Sequence, residues 1–160
     1  MPGDIAITRD RVRRILTDWL GAATSDREGD FVVPAGSSEV RIAVKDLKHP
    51  ADDPWFKEDN TLVSVYCVIG SLLMSPELCQ FVATTDYVFG HLLLVPTPVQ
   101  PAGANLVLGH RLLGEFLDPD ELKHVVEVVA LVANHLNQEV KDRFAAAQSV
   151  EAQQNSGPTG

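Results

Sequence analysis

The segments Tyr87–Val95 and Ala104–Leu113 are apolar at odd and even positions alike, whereas a strand turns successive side chains to opposite faces of its sheet. Paired as a symmetric hairpin, they set His91 opposite His110 and Leu93 opposite Leu108. Phe89, His91, Leu93, Val95, Leu106, Leu108, His110 and Leu112 then share one face. Leu92, Leu94, Val107, Gly109, Arg111 and Leu113 share the other. One layer of helices covers one face only, and a contiguous apolar patch beyond a few hundred Å² is rare on a monomer. The second face therefore needs a cover: another copy of the chain, a client polypeptide, or a loop of its own. Leu92, Leu94, Val107 and Leu113 become candidates for a partner or dimer surface.

The remaining elements follow from periodicity and caps. Thr8 reads as an N-cap ahead of a helix whose stripe is Val12, Ile15, Leu16, Trp19 and Leu20, stopped by Gly21. Phe31–Val33 and the alternating Val40, Ile42 and Val44 form a hairpin. Thr61–Ile69 is apolar at nearly every position and is expected to be a central strand covered on both faces. Ser75 and Pro76 open a second helix with Leu78 and Phe81 on its apolar stripe. These two also join the candidate surface. Asp118, Pro119, Asp120 and Glu121 spell a capping box with proline at the first helical position, opening a long helix to Phe144.

The predicted architecture is α+β: an antiparallel five-stranded sheet with helices on one face, in the order α-β-β-β-α-β-β-α. One domain spans 1–147, and the polar stretch 148–160 is expected to be a disordered tail. The connection from Asp46 to Asn60 carries five carboxylates and the adjacent aromatics Trp55 and Phe56. Loops of that length are uncommon without a purpose, so Trp55 and Phe56 are either further candidates for a partner surface or a cap over an open edge of the chain's own core.

A net charge of −9 repels phosphate backbones and anionic lipid surfaces, and nucleic acid is not expected as a partner. No basic-then-apolar leader is visible and no apolar run approaches the roughly 20 residues of a membrane span. The expectation is a cytoplasmic protein without membrane insertion. Cys67 and Cys79 lie in apolar neighbourhoods, form no C-x-x-C pair and read as reduced core residues. His91 and His110, as cross-strand neighbours, could begin a metal site, but no carboxylate or thiol stands beside them in sequence. No nucleophile elbow, P-loop, dinucleotide fingerprint or zinc spacing occurs, so no enzyme activity, catalytic residue, cofactor or metal is expected.

Five features together resemble the fold shared by the YbjN family and class I type III secretion chaperones. They are the helix Arg9–Leu20, the strand-rich middle, the helix opened by Ser75-Pro76-Glu77-Leu78, the strand start Phe89-Gly90-His91, and the helix Asp118–Phe144. The resemblance runs from about Arg9 to Ala146. It implies a small acidic homodimer that binds extended client segments on apolar surfaces, a chaperone or adaptor without catalysis. The Trp55-Phe56 loop has no counterpart in that pattern. Two other readings stand beside this one: a structural or regulatory dimer without a client, and an enzyme or metal site built near His91 and His110.

Overall fold

The structure is a computed structural model and describes residues 4–47, 60–86, 89–97 and 100–144. The Trp55-Phe56 pair and the 148–160 tail fall outside the described residues. Helix α1, Ile5–Leu20, begins one turn earlier than Thr8: the Asp4 carboxylate accepts from the Ala6 and Ile7 N–H groups and caps it. Thr8 is inside the helix and buried, its hydroxyl 2.8 Å from that of Thr61. The cap expected at Thr8 is thus replaced by a tertiary contact. At the other end Gly21, at φ +82°, donates its N–H to the Thr17 carbonyl, a conformation suited to glycine.

Strands β1 (Thr24–Ser25), β2 (Phe31–Ala35), β3 (Ser38–Leu47) and β4 (Asn60–Leu73) follow. Helix α2 (Pro76–Thr84) has Ser75 accepting from the Leu78 N–H at 3.1 Å. Strands β5 (His91–Thr97) and β6 (Gln100–Leu113), a 3₁₀ turn at Gly114–Phe116 and helix α3 (Pro119–Arg143), capped by Asp118, complete the order. The sheet is antiparallel throughout in the spatial order β1-β2-β3-β4-β6-β5. Among the described residues it has six strands rather than the expected five. The extra one, β1, is two exposed polar residues paired with Val32 and Phe31, too short to show an apolar period.

All three helices pack on the same side of the sheet. Val12, Ile15 and Leu16 of α1, Leu78 and Phe81 of α2, and Leu122, Val126, Val129 and Leu136 of α3 share one buried cluster with Phe31, Ile42, Val63, Val65, Leu106 and Leu108. Each such side chain, taken from water, contributes about 1.5–3 kcal/mol before its ordering entropy is subtracted. Strand β4 is not covered on both faces as its composition suggests. Thr61, Val63, Val65 and Cys67 are buried, the alternate Leu62, Ser64 and Tyr66 only partly so, and Val68 is exposed.

Candidate functional site

The face of the sheet turned away from the helices is the candidate site. Its residues are fixed by register. Across β3, β4 and β6, Arg41 pairs with Tyr66 and Tyr66 with Gly109, while Ala43 pairs with Ser64 and Ser64 with Arg111. On β5, His91 pairs with Gly109 and Leu93 with Val107. This places His91, Leu93 and Val95 on the open face with Val107 and Arg111.

The β5–β6 register differs by one residue from the symmetric hairpin, and a slip of one turns every side chain of a strand to the other face. Leu92 and Leu94 consequently lie opposite Leu108 and Leu106 on the helix side. Leu92 is buried in the core and Leu94 packs against it. Leu78 and Phe81 are core residues too. These four are corrected from surface to interior, whereas Val107 and Leu113 do belong to the open face. Leu93 and Val95, which the symmetric pairing had turned inward, are added. The register shift between Pro96 and Thr97 is the cause, and the prolines of that turn were the only signal that a symmetric count could fail.

The same slip separates the histidines. His110 lies on the helix side, stacked on Phe89 at 4.4 Å between ring centroids, with His124 edge-on to Phe89 at 6.4 Å. His91 is on the open face, beside Gly109, and cannot share a ligand with His110 through the sheet. Burial, followed by the neighbouring Arg111 and His110, pushes the His91 imidazole below its ordinary pKa. Among the described residues no three His, Cys, Asp or Glu side chains are grouped to hold a metal. Cys67 is buried and burial pushes its thiol pKa up. Cys79 is exposed, which corrects its reading as a core residue.

The open face is hollowed into a shallow trough of about 500 Å³ that runs across the sheet from Glu28 and Asp30 to Pro96 and Thr97. Val68, Leu93, Val95 and Leu113 on this face each leave 39–47% of their surface in water. The β1–β2 loop forms the acidic rim. Asp26 accepts from the Glu28 and Asp30 N–H groups, and Arg9 donates to the Gly29 carbonyl at 2.6 Å. Arg41 pairs with Asp26 at 3.1 Å and with Glu39 at 3.7 Å. The Tyr66 hydroxyl donates to Asp30 at 2.7 Å. Burial and this bond to a carboxylate push the phenol up to about 12. Lys45 and Arg111 also line the trough, and neither forms an ion pair among the described residues.

The arrangement offers an apolar floor with hydrogen-bonding and charged groups around it, suited to holding another surface in register. Among the described residues no helix is long and apolar enough to cross a membrane. No protein-family model matches the chain, and no curated protein matches it.

Proposed function

We propose that this protein is a small non-catalytic binding module, a chaperone or adaptor that shields an apolar segment of another protein and acts as a homodimer. The open, partly apolar sheet face carries this reading: Val68, Leu93, Val95 and Val107 lie together across three adjacent strands with no helix over them among the described residues. The resemblance to the YbjN family and the class I secretion chaperones points the same way, through an element order that differs from the expected one by the short β1. Free thiols at Cys67 and Cys79 suit a cytoplasmic setting.

The homodimer is best supported at the edge of the sheet. Among the described residues strand β5 is terminal in the strand order and has no Asp, Glu, Lys or Arg from His91 to Thr97, with Pro96 only at its far end, whereas the opposite edge is a two-residue strand. Long uncharged edges pair with further strands unless something blocks them. Pairing two β5 strands about a two-fold axis leaves the open faces available for a client.

Sedimentation equilibrium combined with binding of an apolar fluorescent dye tests the reading. A dimer that binds dye is expected, and Leu93→Asp should abolish dye binding while costing only about 1 kcal/mol of unfolding free energy, the span of strand propensity at a half-exposed site. A dimer with no dye-accessible surface would favour the client-free structural module instead. A monomer that binds no dye would contradict both readings.

A further inference from the structure

We infer that the trough takes an extended acidic segment of a partner protein, one carboxylate of which is held above Ser64 between Lys45 and Arg111. The inference rests on the open face being a binding surface and specifies the chemistry of what it binds. Arg111 sits directly opposite Ser64, and Lys45 stands two residues along β3 from Ala43, the other neighbour of Ser64. Neighbouring strands are about 4.8 Å apart, so the two cationic side chains flank the Ser64 hydroxyl from either side and can reach one shared anion.

The charge balance selects that anion. The chain carries a net −9, and on this face Arg41 is answered by Asp26 and Glu39, while Asp30 accepts from the Tyr66 hydroxyl and keeps its charge. Of the charged groups lining the trough, Glu28 and Asp30 lie in the β1–β2 loop, and Lys45 and Arg111 stand near the C-terminal ends of β3 and β6, on the two strands that flank Ser64. An extended segment presents alternate side chains to the surface beneath it. Its apolar residues lie along Val68, Val107 and Leu93 as its carboxylate meets the two cations.

The test uses fluorescence anisotropy with three short synthetic peptides that alternate valine with aspartate, with asparagine or with lysine. The intact chain is compared with the double variant Lys45→Gln/Arg111→Gln. The aspartate peptide should bind about tenfold more tightly than the asparagine peptide. That advantage should disappear in the double variant and fall with added salt, while the asparagine peptide binds both proteins equally. Equal binding of the aspartate and asparagine peptides to the intact chain would overturn the acidic specificity and leave the open face as a binding surface. Binding of none of them, with concentration-dependent burial of the face, would assign the face to a second copy and overturn both. Matching urea midpoints of the two proteins would show that the double variant is folded.

Discussion

Gly114 stands where three elements meet. Its neighbours are Thr8 of α1 and Thr61 at the start of β4. The Glu115 carboxylate accepts from the Thr61 N–H at 2.6 Å and from its hydroxyl at 3.0 Å, leaving the Thr8 hydroxyl to donate to the Thr61 oxygen. A methyl at Gly114 would overlap the Thr61 hydroxyl and come within 2.7 Å of Thr8 Cγ2. Gly114→Ala is therefore expected to cost about 1–3 kcal/mol through overpacking, read as a lower urea midpoint with an unchanged slope. Nothing in the sequence marked this cluster, because Thr8 and Thr61 are 53 residues apart and Thr8 has the local pattern of a cap. Tyr66 gives a second test. Its folded pKa of about 12 lies above the ordinary tyrosine value of 10.0, so its contribution to stability is complete below pH 10 and is lost as pH rises toward 12. Urea melts across that window should show the decline, and Tyr66→Phe should remove it.

Among the elements, those set by local signals were readable and those set by distant pairing were not. The Ser75-Pro76 and Asp118-Pro119 helix starts were legible because cap, proline and first-turn acids act within one turn. The β2–β3 hairpin was legible because the alternating Val40, Ile42 and Val44 follow the short apolar run Phe31–Val33 across a turn. In β5 and β6 both parities are apolar, so composition could not choose a register, and the irregular turn at Pro96–Thr97 decided it. The consequence is measurable. Leu92→Asp, which places a carboxylate in the core, should lower unfolding free energy by more than about 3 kcal/mol. Its sequence neighbour Leu93→Asp should cost far less, about 1 kcal/mol, in the same urea melts. Equal losses at the two positions would mean that β5 is buried on both faces.

For the whole molecule, the balance between two faces of one sheet matters most. Three helices seal one face, and their stripes already announced that arrangement in the sequence. The other face of the last two strands was expected to be mostly apolar, with Arg111 already on it. The open face is mixed, with Tyr66, Arg41, Lys45 and Arg111 among the aliphatic side chains, and the register places Leu93 and Val95 there instead of Leu92 and Leu94. The reason for expecting a cover is chemical as well as apolar: an apolar floor with two cations that form no ion pair among the described residues, in an acidic chain. The most direct measurement is the labelling rate of a thiol placed on that face. With Cys79 replaced by serine, Val68→Cys should react with a maleimide at the rate of an exposed thiol in dilute protein, while the buried Cys67 stays protected until the chain unfolds. Protection of Val68→Cys to the same degree as Cys67, at concentrations where the protein is monomeric, would show that the chain seals this face itself and would contradict its role as a binding surface.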